Sequence, residues 1–122
     1  MSKKILIIES DEFYIEVIGT FVRLFLQYEF VPTKSAKEAM DRVHQEHPDL
    51  VMVDLDMDGH EAVEFSERMR DDAETKNIPI IAISQDGGRR DEALGTGCSA
   101  FLAKPFKIRE LEAMIMRLLG EV

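Results

Sequence analysis

Four apolar runs, Ile5–Ile8, Leu50–Val53, Ile80–Ile83 and Ala100–Ala103, recur along the chain with stretches of helical length between them. Short runs rich in Ile and Val, bounded by polar or turn residues, read as strands buried on both faces, the pattern of a parallel sheet. A fifth, weaker strand candidate covers Glu29–Val31 and ends at Pro32. The intervening segments scan as helices. Ser35-Ala36-Lys37-Glu38 has the form of a capping box, in which a hydroxyl and a carboxylate satisfy free amides at a helix start. The helix it opens turns Ala39, Met40 and Val43 inward, and Pro48 stops it. His60 to Arg70 repeats apolar residues at Ala62, Val63, Phe65 and Met69, and Ile108, Leu111, Ile115, Leu118 and Leu119 form a stripe that stops at Gly120. Strand followed by helix, five times over, predicts an α/β fold: a doubly wound five-stranded parallel sheet in a three-layer (βα)5 sandwich. The 122 residues suit one domain over 1–122, since two cores would leave about 60 residues each.

Charge narrows the function classes. Fifteen basic against 24 acidic side chains give a net charge of −9, which repels a phosphate backbone and an anionic lipid surface alike. Neither nucleic acid nor membrane is therefore an expected partner. A lone cysteine, Cys98, excludes an internal disulfide and a thiolate zinc cluster, and is read as a small buried packing residue. The apolar run after Ser2-Lys3-Lys4 is too short for a signal peptide, and no stretch reaches the roughly 18 apolar residues of a membrane span. The expected location is the cytoplasm.

In doubly wound sheets the site lies beyond the carboxyl ends of the strands. Collected there are Glu9, Ser10, Asp11 and Glu12 after the first strand, Asp54, Asp56 and Asp58 after the third, Ser84 after the fourth and Lys104-Pro105 after the fifth. Clustered carboxylates repel one another unless a cation offsets them, and an all-oxygen set points to a hard divalent ion, Mg²⁺. Beside such an ion Asp54 would be a nucleophile toward phosphorus, Lys104 would counter phosphoryl charge, and the Ser84 hydroxyl would bond a phosphoryl oxygen. Any one of these residues alone reads as a cap or a loop; their joint placement points to phosphoryl chemistry.

The runs Ile5-Leu6-Ile7-Ile8-Glu9-Ser10-Asp11-Glu12, Pro48-Asp49-Leu50-Val51-Met52-Val53-Asp54, Ile78-Pro79-Ile80-Ile81-Ala82-Ile83-Ser84 and Phe101-Leu102-Ala103-Lys104-Pro105-Phe106 resemble the receiver domain of bacterial two-component response regulators, of the chemotaxis-regulator type. The resemblance covers nearly the whole chain and implies a flavodoxin-like sandwich phosphorylated on Asp54 by a histidine kinase or phosphotransfer protein, with a downstream protein target. It implies Ser84 as switch hydroxyl, Phe101 as switch aromatic, Lys104 as phosphate-sensing cation and a cis peptide before Pro105. Its metal ligands would be Glu9, Asp54 and the backbone carbonyl of Asp56. Two departures stand out: Ser10 occupies the position of a metal-ligating Asp, leaving that place to a water on Ser10 or to Asp11, and the loop after Asp54 is shortened to Met57-Asp58-Gly59. The first weakens expected Mg²⁺ binding, the second reshapes access to Asp54, and either opens an alternative, a degenerate receiver acting as an interaction module without phosphorylation.

Other patterns compete. Asp54-x-Asp56-x-Asp58-Gly59 matches the start of an EF-hand loop, but Phe65 stands where that loop needs its bidentate Glu. Asp54-x-Asp56 also resembles the nucleophile motif of haloacid-dehalogenase-type phosphohydrolases, which carry it on the first strand instead of the third. A receiver has no enzymatic module of its own. His44, His47 and His60 lack metal-ligand spacing and read as solvated, as does Arg89-Arg90 at a helix start. Phe13 to Tyr28 holds eleven apolar residues in sixteen, more than a surface helix needs. Two expectations follow: an exposed interaction surface including Phe13, Tyr14 and Leu24, or a wider core.

Overall fold

A computed structural model of the chain describes residues 2–57 and 59–121. Five strands, β1 (Lys4–Ile8), β2 (Glu29–Thr33), β3 (Leu50–Asp54), β4 (Ile80–Ser84) and β5 (Ala100–Ala103), form one sheet. All pairings are parallel, in the order β2-β1-β3-β4-β5. The helices are α1 (Glu12–Thr20), α2 (Ala39–Glu46), α3 (Glu61–Asp71), α4 (Arg90–Gly95) and α5 (Ile108–Leu119).

Strand residues alternate between two buried layers. Ile5, Ile7, Leu50, Met52, Ile81, Ile83 and Leu102 meet Ile18 of α1 and Leu111 and Ile115 of α5. Their neighbours Leu6, Ile8, Val51, Val53, Ile80, Ala82 and Phe101 meet α2, α3 and α4. Burial on both faces explains why the runs lack polar alternation. Arg70, at the end of α3, ties the opposite edge of the sheet together: its guanidinium donates to the carbonyls of Gly97, Lys76 and Ile78. Gly97 has φ +103°, and a Cβ there would lie 2.5 Å from the Arg70 side chain, so both backbone and space require glycine.

Three local expectations are corrected. The fifth strand runs through Pro32 instead of ending there. Glu29 N–H donates to Lys3 and the Thr33 carbonyl accepts from Glu9, so odd-numbered positions of β2 face β1 and the Pro32 nitrogen faces out from an edge strand, where no donor is required. Ser35 makes no side-chain cap; a 3₁₀ turn, Ala36–Glu38, precedes α2 and takes the place of the capping box. The first helix gives way after Thr20 to a π-helical segment, Phe21–Phe25, with Leu26 N–H bonded to the Phe21 carbonyl. This widened turn puts Phe21 and Val22 inside and leaves Leu24 and Phe25 exposed.

Candidate functional site

The carboxyl ends of the strands gather a buried ionic cluster. Asp54 is the last residue of β3, Ser84 the last of β4, and Glu9 and Lys104 directly follow β1 and β5. The pairings of Ile8 with Val53, Asp54 with Ile83 and Ser84 with Ala103 bring these ends level. Lys104 Nζ lies 2.7 Å from Glu9 Oε1, 3.4 Å from Asp54 Oδ2 and 4.2 Å from the centroid of the Tyr14 ring. All three charged side chains are almost fully buried.

The other Glu9 oxygen accepts from the amides of Ser10 and Asp11. Burial pushes the Glu9 carboxyl up to about 7, reinforced by the Asp54 carboxylate and opposed by Lys104 and the Asp11 amide. Burial alone would lower Lys104, but Glu9 and Asp54 beside it hold the ammonium above its ordinary range. Glu9 and Asp54 offer only hard oxygen donors and are like-charged when both are ionised, a donor set that fits Mg²⁺. Asp11 is committed elsewhere: its carboxylate caps α1, accepting from the Phe13 amide at 2.9 Å.

A second network adjoins the first. The Ser84 hydroxyl donates to Asp56 Oδ1 at 2.6 Å and accepts from the Asp86 amide, while the Gln85 amide donates to Asp56 Oδ2 at 2.7 Å. Asp56's own amide donates to Asp54 Oδ1. Arg89 approaches Asp56 to 3.6 Å, donates to the Leu55 carbonyl and pairs with Glu92. Burial works against ionisation of Asp56, yet the Gln85 amide, the Ser84 hydroxyl, Lys104 and Arg89 keep its carboxyl below the usual range. Arg89 is thus not the solvated residue its place after Gly87-Gly88 suggested. The Asp56 carboxylate, counted in the sequence with the acidic cluster but given a ligand role only through its backbone, is the centre of this network.

Phe101 is buried in the layer shared with Ala93 and Cys98, and the Lys104–Pro105 peptide is cis. Asp58, counted with the acidic loop, lies outside the described residues. The EF-hand reading is overturned: Asp54 ends a strand where a helix is required, and Phe65 is a core residue. Phe13 and Leu24 are exposed, whereas Tyr14 is not: its ring packs on Phe106 and covers Lys104. His44 is likewise engaged, with one ring nitrogen 2.9 Å from Asp72 and the other 2.9 Å from Glu74. The Glu74 bond and the Asp72 charge outweigh burial and raise its pKa.

Residues 5–116 match the family model of the response regulator receiver domain. The polar-differentiation response regulator DivK of Brucella ovis is 28% identical over 123 residues, covering 99% of both chains. Among solved structures, the receiver domain of a Pseudomonas aeruginosa sensor histidine kinase, with a magnesium ion coordinated in its active-site cleft, superimposes with a TM-score of 0.87 at 24% identity, over 98% of this chain and 99% of that one. Chemotaxis response regulator CheY4 of Vibrio cholerae gives 0.88 at 20% identity, over 98% and 100%.

Proposed function

Because the chain belongs to the response regulator receiver family of two-component signalling, we propose that it acts by accepting a phosphoryl group on Asp54 from a histidine kinase or phosphotransfer protein, and passes the signal to a downstream protein. The observation that carries this reading is the convergence of a nucleophilic carboxylate, a buried ammonium and a hydroxyl at one sheet edge: Lys104 is 3.4 Å from Asp54, with Ser84 one strand away. An Asp54 oxygen attacks phosphorus, the P–N bond of the phosphohistidine donor breaks, and the donor ring, already protonated on its other nitrogen, leaves as neutral imidazole. Lys104 offsets the charge that arrives with the phosphoryl group, and the Ser84 hydroxyl donates to one of its oxygens.

Glu9, Asp54 and the Asp56 backbone carbonyl would hold Mg²⁺, with Ser10 contributing through a water, and the ion would supply charge neutralisation for an anionic donor. The magnesium reported for the Pseudomonas receiver supports this assignment. Phe101 is the aromatic residue proposed to follow Ser84 when the site is modified. The receiver unit is proposed to span residues 1–122.

One observation favours the alternative of an interaction module that works without phosphorylation: Ser84 already has an anionic partner in Asp56. Incubation with Mg²⁺ and acetyl phosphate decides between them. Intact mass should show one added phosphoryl group on the wild type and none on Asp54→Asn. No adduct at any Mg²⁺ concentration would leave the interaction module as the reading.

A further inference from the structure

The second network has an arrangement that phosphoryl chemistry at Asp54 alone does not require. A phosphoryl group on Asp54 needs hydrogen-bond donors on its oxygens and positive charge nearby. In the unmodified chain, an anion two residues further along already holds such donors. Asp56 takes the Ser84 hydroxyl at 2.6 Å and the Gln85 amide at 2.7 Å, and Arg89 stands 3.6 Å away. Its own amide donates to Asp54 Oδ1, which fixes the backbone of this partly exposed residue beside the nucleophile.

We propose that Asp56 is a positioning residue that competes with the phosphoryl group: its carboxylate holds Ser84, the Gln85 amide and Arg89 in the unmodified protein and yields them when Asp54 is phosphorylated. The inference rests on the phosphoacceptor reading of Asp54. Two anions cannot share one hydroxyl proton, so modification must displace Asp56 from Ser84 or forgo that bond. Displacement also takes one anion away from Arg89, the residue that joins the 3₁₀ turn Gly87–Arg89 to α4, and leaves it the Leu55 carbonyl and Glu92. The competition therefore links the chemical state of Asp54 to the start of α4 through a side chain and needs no movement of the sheet.

Two measurements on the full chain test it. In ¹H–¹⁵N spectra of the unmodified protein, Asp56→Asn should move the Gln85 amide, which donates to Asp56 Oδ2, upfield; an unchanged position would overturn the proposal. In an acetyl phosphate titration at saturating Mg²⁺, read by intact mass, Asp56→Asn should reach half-modification at about tenfold lower phosphodonor, the equivalent of one charge-assisted hydrogen bond no longer contested. Adducts on wild type and Asp56→Asn with the same half-point would overturn the competition while leaving Asp54 the phosphoacceptor. No adduct on either protein would overturn the phosphoacceptor reading itself.

Discussion

Glu9 and Lys104 show how the buried ionic cluster is held together. The unfolded chain releases the Glu9 proton near 4.5, and the folded chain holds it to about 7. Between those values the folded form binds more protons, so stability is greatest at the acid end of the window and falls as pH rises through it. His44 is also raised and slopes the same way, so the measurement is a difference. Urea unfolding of the metal-free protein from pH 5 to 8 should show a steeper loss for the wild type than for Glu9→Gln. Lys104 offers the complementary case. Replacing it with Met strands two buried carboxylates, and breaking a buried pair from one side costs about 3–5 kcal/mol. Because Glu9 can take up a proton, the loss for Lys104→Met should be larger at pH 8 than at pH 5, again by urea unfolding.

Among the elements, the strands were legible because burial on both faces leaves only apolar residues, and Asp54, Ser84 and Lys104 were legible because the sheet fixes where its carboxyl ends lie. What sequence spacing misses is where a side chain turns after the strand ends. The Asp56 carboxylate was counted toward a cation and Arg89 was read as solvated, since no periodicity records that a two-residue step aims a carboxylate at Ser84. Ser35 failed for a related reason: a 3₁₀ turn changes the geometry on which a capping box depends. The surplus of apolar residues after Phe13 divides between core and surface. Phe21 and Val22 enlarge the core, while Phe13, Leu24 and Phe25 are more than three-fifths exposed. Leu24→Gln should therefore change stability by no more than about 0.5 kcal/mol. Tyr14→Ala removes a ring from Phe106 and Lys104 and should cost about 2 kcal/mol or more in the same unfolding assay. If phosphodonor proteins dock on this helix, Leu24→Gln is the variant that weakens them without unfolding the chain.

At the scale of the molecule, the net charge of −9 is not spread evenly in its consequences. Glu9 and Asp54 face each other in a buried site with one ammonium between them, so a divalent cation bound there should stabilise the whole fold by mass action. Raising Mg²⁺ to 100 times its dissociation constant adds about 2.7 kcal/mol for a ligand that binds only the folded form. Thermal melts should show Tm rising with Mg²⁺ in the wild type and returning to the metal-free value on addition of chelator, with no rise in a Glu9→Gln, Asp54→Asn double variant.

An all-parallel sheet has two open sides, and on one of them sits Pro32, its nitrogen turned outward from β2. An incoming strand from a second molecule would look there for an amide to pair with and find a ring carbon instead. The same proline that makes this segment look too weak to be a strand removes one of the donors that an added strand would need, independent of the charge of the chain.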